Sequence, residues 1–359
     1  MNRYSRHIIL SEIGPEGQKK LSAASVMVVG AGGLGCPALQ YLVAAGVGTI
    51  GILDHDLVEE SNLQRQILFG TSSLGTNKAV SAKKRLADLN PSITINAYPI
   101  QLQAQNALDI LSGYDIILDG TDNFETRYLI NDAALLLDKP VVFGAIYKFE
   151  GQVTVFNYKG GPSYRCLFAT PPAGSSVANC SEVGVLGVLP GIIGCMQANE
   201  VIKMILGMEE VLSGKLLCYD ARSAGTSFIS IARNEDRIKQ VFDERDSFVQ
   251  NHSGSNYSCE PMEISVEDAL KMEDVQFIDI REPGELPFIQ LPECIQIPLG
   301  SLEQSISEIN SEKNIVTFCR SGIRSKKAVS LLIENNITNC YSLKGGALAL
   351  EPAIKSLIK

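Results

Sequence analysis

The chain lacks several features that would settle its class at once. No two of its nine cysteines (Cys36, Cys166, Cys180, Cys195, Cys218, Cys259, Cys294, Cys319 and Cys340) stand two to four residues apart, so no zinc-site pair is visible. The cysteine count is odd and the chain has 359 residues, which argues against a disulfide framework and for a reducing compartment. A basic surplus is missing as well. The 31 basic and 40 acidic residues leave a net charge of −9, which disfavours nucleic acid or an anionic membrane as the main partner. No apolar run reaches membrane length, because the best one, VGVLGVLPGIIGCM, is short and broken by Gly and Pro. MNRYSRHIILSEIG shows neither an apolar signal core nor a cleavage site, so a soluble, cytoplasmic protein is expected. Internal repeats and low-complexity tracts are also absent.

What is present reads as two domains. VMVVG (26–30), a glycine turn, an apolar-faced helix and TIGILD (49–54) form a strand–helix–strand unit. TINAYPI, YDIILDG and PVVFGAI are further strands separated by helical stretches, the pattern of a doubly wound parallel sheet. GQVTVFN (151–157) breaks that rhythm and suggests an antiparallel extension. VLPGIIGCMQANEVIKMILG reads as a long helix entered through Pro190 and ended near Gly207. Residues 248–262 are small and polar, and they predict a linker. The α/β alternation restarts at 263 and runs to 359, a normal domain size. The expected organisation is therefore 1–247, a linker at 248–262, and 263–359.

GAGGLG (30–35) matches G-x-G-x-x-G, and Asp54 ends the next strand. Gly30, Gly32, Gly33 and Gly35 let backbone N–H groups approach a phosphate, and a carboxylate at position 54 suits ribose hydroxyls. Alone, this fingerprint would favour a nicotinamide or flavin domain. The residues that follow point elsewhere. Asn62, Arg65 and Gln66 come just past the carboxylate, Lys78 lies at an expected helix start, and Asp122 at the end of a strand. Hydride transfer has no need of two cations and an extra carboxylate around phosphates, whereas chemistry at phosphorus does. Surface solvation would account for Arg65 or Lys78 taken singly, and Asp122 could cap the helix behind it.

RYSRHIIL, VVGAGGLG, LDHDLVEESNLQRQ, GTNKA, DGTDNFETR and NCSEVGVLGVLPGIIG, in that order over roughly residues 1–235, resemble the ThiF/MoeB/HesA family of E1-type enzymes. The resemblance implies an E1-like fold that binds ATP and Mg2+ and adenylates the C-terminal Gly-Gly of a ubiquitin-like sulfur carrier. It implies that Asp54 binds ribose, that Arg65 and Lys78 contact phosphates, and that Asp122 holds Mg2+. Arg6 matches an arginine that reaches the neighbouring subunit's site, which implies a homodimer. Cys180 occupies the position of a candidate acceptor thiol, while Cys36 and Cys195 read as core. The family's two C-x-x-C pairs are broken here, with Ser163 in SYRC where a cysteine is expected and the second pair missing. No structural zinc is therefore expected, and some other packing must replace it.

VTFCRSGIRSKKAVS (316–330) runs a strand into Cys319 and then into a helix. Arg320 and Arg324 flank the thiol, and Ser321 and Gly322 let the loop curl its N–H groups toward the sulfur, a setting that favours thiolate or persulfide. A cysteine phosphatase would need five residues between Cys319 and its arginine, and here there are four. The shorter loop, with FIDIREPGEL and LKGGALAL, resembles rhodaneses over about 263–359, although QLPEC stands where the family has another stretch. The two resemblances together imply an adenylyltransferase fused to a sulfurtransferase supplied by a persulfide donor. Molybdopterin synthesis is the first expectation and thiazole synthesis the alternative. An NAD-dependent oxidoreductase and a carrier-binding scaffold with a dead rhodanese module are the rivals from other classes.

Overall fold

The computed structural model describes residues 3–170, 184–253, 263–291, 294–311, 313–335, 337 and 339–357. Cys180 and Cys259 lie outside them. The described chain forms two compact units, one ending at residue 253 and one beginning at 263. Each is taken by itself below.

The first unit is built on an eight-stranded sheet: β1 (Ser25–Val29), β2 (Thr49–Leu53), β3 (Thr94–Tyr98), β4 (Ile116–Asp119), β5 (Val141–Tyr147), β6 (Glu150–Phe156), β7 (Lys215–Asp220) and β8 (Gly225–Ser230), in the order β3-β2-β1-β4-β5-β6-β7-β8. The segment β3 to β5 is parallel and β5 to β8 antiparallel. β1 lies between β2 and β4, with Val26 opposite both Ile50 and Ile116. The strand order reverses there, so the carboxyl ends of these strands open a crevice. Buried apolar side chains cover both faces. Val28, Leu39, Leu42 and Ile52 pack on one face and Met27, Ile117, Tyr128 and Phe143 on the other. Each such aliphatic side chain contributes about 1.5–3 kcal/mol by leaving water. β7 and β8 escaped the sequence reading. Every residue of β8 is exposed, so it carries no core-facing alternation to detect.

The crevice is fixed by local chemistry. Gly30 has φ +91°, and a Cβ there would lie 2.8 Å from the Gly120 carbonyl oxygen. A Cβ on Gly120 would lie 2.9 Å from the Gly30 oxygen. A Cβ on Gly35, which opens the Gly35–Ala45 helix, would overlap the same Gly30 oxygen. The glycines thus draw the ends of β1 and β4 together. Asn77 caps the Lys78–Leu89 helix by accepting from the Val80 N–H at 3.1 Å. Asn123, not Asp122, caps the Phe124–Leu136 helix, accepting from Thr126 N–H at 2.9 Å. Asp122 is therefore left free of the capping role.

Residues 248–253, expected to open the linker, form the Phe248–Ser253 helix instead. Phe248 is buried, and the His252 imidazole meets Asp132 at 2.9 Å. A bidentate contact from Arg165 to the same carboxylate completes the cluster. One of the polar residues that suggested a linker here, His252, is the partner of a buried charge. The zinc region shows a related substitution. The Cys166 sulfur accepts N–H groups of Ser163 and Asn234, both at 3.3 Å. This ties the Tyr164–Leu167 turn to the start of the Glu235–Asp243 helix.

The second unit is a five-stranded parallel sheet, β9 (Glu263–Ile264), β10 (Val275–Asp279), β11 (Cys294–Gln296), β12 (Asn314–Phe318) and β13 (Cys340–Leu343), ordered β11-β10-β12-β13-β9. β12 is central and buried, and Cys319 follows its last residue. The Ile323–Glu334 and Gly346–Leu357 helices pack near its carboxyl end.

Candidate functional sites in the two units

The first site lies at the crevice. Asp54, at the end of β2, is 8% exposed. Its Oδ2 accepts the Ala31 N–H at 2.8 Å and its Oδ1 the Asp56 N–H at 2.9 Å, so it holds the glycine loop in shape. Burial raises its pKa, against the opposing pull of Lys78 and the two amides. Carboxylate lone pairs remain for hydroxyls. Lys78 is almost fully buried along its stem, and its ammonium meets Asp56 Oδ2 at 2.7 Å. The stem of Arg65 lies beside Gly33, where a Cβ would come 3.6 Å from Arg65 Cγ. Arg65 also donates to Ser61 O at 3.1 Å. Gln66 is buried near Gly32, and its Oε1 has no partner among the described residues. Asn62 is buried and folds back to accept the Glu59 N–H, shaping the turn that carries Arg65.

Glycine loop, Asp54, Arg65, Gln66 and Lys78 are thus brought together. Asp122 is exposed and follows Gly120, the residue that abuts Gly30. Arg6 is exposed on the Ser5–Ile8 helix. Among the described residues, the side chains whose ligand atoms cluster as a cation would require are Asp54, His55 and Asp56. Three residues escaped the sequence reading. Asp56 sits two positions past the ribose carboxylate, in DHD. Arg127 donates to Thr121 O at 2.9 Å and stacks on Phe124 and Phe143. Asp119, fully buried, accepts the Thr121 N–H and hydroxyl and shapes the same loop. Arg127 lies within the DGTDNFETR motif, and its spacing from Asp122 was the available signal.

The second site is a sulfur in an amide cradle. Cys319 is 1% exposed. The Gly322 N–H points at its Sγ from 3.2 Å, and the Ser325 hydroxyl lies at 3.8 Å. Burial would raise the thiol's pKa, but the N–H groups of Ser325 and Ser321, the Ser325 hydroxyl and the Gly322 N–H outweigh it and hold it below the ordinary thiol value. Cys36, pushed up to about 12 by burial, and Cys195 and Cys294 move the other way. Gly322, at φ +95°, lets the loop turn into the helix. The Gly345–Gly346 turn closes behind it. A Cβ on Gly346 would overlap the Cys319 carbonyl oxygen, and Ala347 N–H bonds that oxygen at 2.7 Å.

The two arginines stand differently around the thiol. Arg320 is exposed. Arg324 pairs with Glu285, NH1 to Oε1 at 2.8 Å and NH2 to Oε2 at 2.5 Å, and its side chain is also within hydrogen-bonding reach of Cys319. Backbone amides and Ser325, rather than free guanidinium groups, dominate the stabilisation of a thiolate here. The role of Ser325 depends on β13: its hydroxyl meets Ser342 Oγ at 2.8 Å, and its single proton has Gly322 O at 3.0 Å and the Cys319 sulfur as alternative acceptors. Behind the loop, buried Asp279 and Arg281 form a bidentate pair that anchors the segment carrying Glu285.

The ThiF family matches residues 4–239, and the rhodanese-like domain matches residues 264–351. The chain is 53% identical over 239 residues to a sulfur carrier protein adenylyltransferase of Thermus thermophilus, covering 65% of this chain and 88% of that protein. It is 38% identical over 362 residues to a probable adenylyltransferase/sulfurtransferase MoeZ of Mycobacterium tuberculosis, covering 97% of this chain and 92% of the other. Against the adenylyltransferase and sulfurtransferase MOCS3 of Xenopus laevis it is 40% identical, covering 92% and 80%. A crystal structure of E. coli MccB with ATP matches 65% of this chain and 72% of its own, with a TM-score of 0.57 at 22% identity, a likeness of fold. No helix among the described residues is long and apolar enough to cross a membrane.

Proposed function

This chain belongs to the ThiF family and carries a rhodanese-like domain behind it, and from that premise we propose how its two sites divide one reaction. The protein is an adenylyltransferase joined to a sulfurtransferase, as its full-length relatives are. Its acceptor is the C-terminal Gly-Gly carboxylate of a ubiquitin-like sulfur carrier, and its product is the carrier thiocarboxylate. The observation that carries this reading is the pairing, in one chain, of a phosphate crevice lined by Asp54, Arg65 and Lys78 with a thiol cradled by amides.

In the first unit ATP is the substrate. The residues present fit it. The loop N–H groups and Lys78 suit phosphates, the spare lone pairs of Asp54 suit ribose, and the buried, unpartnered Gln66 Oε1 awaits a donor. The carrier carboxylate attacks the α-phosphorus and pyrophosphate leaves. Arg65 and Lys78 offset the charge that grows on the phosphoryl oxygens. Mg2+, when bound, would neutralise phosphate charge, and Asp122 or the Asp54–His55–Asp56 cluster would hold it. Arg6 is assigned to the neighbouring subunit's site in a homodimer.

In the second unit Cys319 takes up sulfane sulfur from a persulfide donor. Its terminal sulfur then attacks the acyl carbon of the carrier adenylate, and AMP leaves with the electron pair of the broken C–O bond. A second thiol attacks the resulting acyl disulfide at the Cys319 sulfur, releasing the thiocarboxylate and forming a disulfide with Cys319. Cys180, outside the described residues, is the thiol proposed for that step. Molybdopterin synthesis is the pathway proposed, and thiazole synthesis is the alternative. Carrier-dependent exchange of labelled pyrophosphate into ATP, with Gly-Gly carriers from both pathways, tests the reading. Exchange with one carrier supports it and selects the pathway. No exchange with any carrier overturns the adenylation half.

A further inference from the structure

Rhodanese-type transfer from a small donor such as thiosulfate requires a cation near the sulfur. The leaving group is sulfite, an oxyanion, and a planar guanidinium is the side chain suited to hold it. Arg324 is the loop residue placed to do so, and its side chain lies within hydrogen-bonding reach of Cys319. Each terminal nitrogen of Arg324, however, gives one N–H to Glu285, so a carboxylate offsets the guanidinium charge while its remaining N–H groups still face the site. Glu285 is itself fixed: its Oε1 accepts the Glu282 N–H at 2.9 Å, and its carbonyl accepts from Arg281, which is anchored on buried Asp279. The pair is therefore held from both sides. A dianion approaching Cys319 meets a guanidinium whose charge is offset by a carboxylate, with Arg320 exposed beside it.

The rim around the loop is apolar. Leu286 (62% exposed), Phe288 (75%), Ile323 (61%) and Leu348 (52%) are the second unit's exposed large apolar side chains among the described residues. Each lies on a segment bonded to the loop or within it. Leu286 follows Glu285, Ile323 precedes Arg324, Phe288 follows Pro287, whose carbonyl binds Arg281, and the Leu348 N–H donates to Arg320 O at 3.1 Å.

We propose that Glu285 is a donor-selecting residue: by pairing with Arg324 it offsets the positive charge a small oxyanion donor would need beside Cys319 and so favours sulfane sulfur whose leaving group is a thiolate. The proposal rests on the sulfurtransferase reading above. For thiosulfate, the Cys319 thiolate attacks the outer sulfur, the S–S bond of the donor breaks, its electron pair leaves on sulfite, and Cys319 becomes a persulfide. For a thiol persulfide the same bond breaks and the pair leaves on the thiolate. The two steps differ only in the charge that has to be accommodated.

The test compares kcat/KM for thiosulfate and for glutathione persulfide in the full chain, with cyanide as acceptor. Glu285→Gln, which keeps an acceptor for the Glu282 N–H, should raise the thiosulfate-to-persulfide ratio by about tenfold or more, mainly through the thiosulfate KM. Adding Arg324→Gln to that variant should erase the gain. An unchanged or lower ratio in Glu285→Gln overturns the proposal, as does a gain that survives loss of Arg324. A second measurement uses the unmodified chain. Sulfite and sulfate should leave the iodoacetamide alkylation rate of Cys319 unchanged, and protection by either anion overturns the proposal. Cys319→Ser separates this outcome from failure of the parent reading. If that variant still transfers sulfur from either donor, the sulfurtransferase assignment itself falls.

Discussion

Lys78 reaches out of the buried start of its helix to place its ammonium 2.7 Å from Asp56 Oδ2, two residues past Asp54. The stem is packed, and the ammonium lies close enough to Asp54 to oppose the rise in its pKa. A cation held this way loses little mobility when it engages a phosphate. Lys78→Ala should lower carrier-dependent pyrophosphate exchange about 100-fold or more while the first unit still melts cooperatively. Asp56→Asn should cost less, with the change in the ATP KM. If Lys78→Ala exchanges at the unmodified rate, Lys78 does not act on the phosphates.

The glycine loop has no slack. A Cβ at Gly35 would strike a backbone carbonyl, which cannot swing away as a side chain can. Gly35→Ala should destabilise the first unit by about 2–4 kcal/mol. Urea denaturation followed by far-ultraviolet circular dichroism would read this. A midpoint equal to that of the unmodified protein would contradict the geometry.

Ser325 ties the thiol's environment to β13. Ser325→Ala removes one donor to the sulfur while the amides stay. The alkylation profile of Cys319 against pH should move up toward the ordinary thiol value, with the rate at pH 7 falling about threefold to tenfold. Adenylation should be unaffected. An unmoved profile would assign the lowered pKa to the backbone alone.

The buried cluster of Asp132, Arg165 and His252 makes a prediction about acid. Burial pushes the Asp132 pKa up, but the hydrogen bonds from Arg165 and His252 overcome it, and the net direction is down. A depressed carboxylate contributes stability that is present above the unfolded pKa of about 3.9 and lost as pH falls through the lower folded value. Thermal unfolding of the first unit should therefore fall steeply below about pH 4. In Asp132→Asn, stability should be lower at pH 7 and part of that acid dependence should vanish. Parallel curves for the two proteins would show that the cluster carries no such linkage.

Much of this was legible in the sequence, for identifiable reasons. The parallel core of the first unit shows itself because its strands are buried on both faces and flanked by glycine and helix signals, as VMVVG is. Asp54 and Lys78 were readable because strand ends and helix starts are where such sheets collect ligands. The missed items depend on neighbours distant in the chain. Glu285 stands 39 residues before Arg324, and nothing in either local pattern pairs them. Residues 248–253 looked like a linker because most of them are polar, and His252 is explained only by the distant Asp132. β8 lacked a pattern because it has no buried face. For Asp122 the sequence left a helix cap open as an alternative, and its neighbour Asn123 holds that position.

Gly30 and Gly120 stand in reciprocal contact, each occupying the space in which the other's Cβ would lie. In sequence space this is a closed door. A side chain at either position collides with main chain, so no change at the other can make room for it, and the two have to persist together or be lost together. Variation in a crevice of this design is thereby channelled away from these two glycines, to positions where a new side chain meets other side chains and not the main chain.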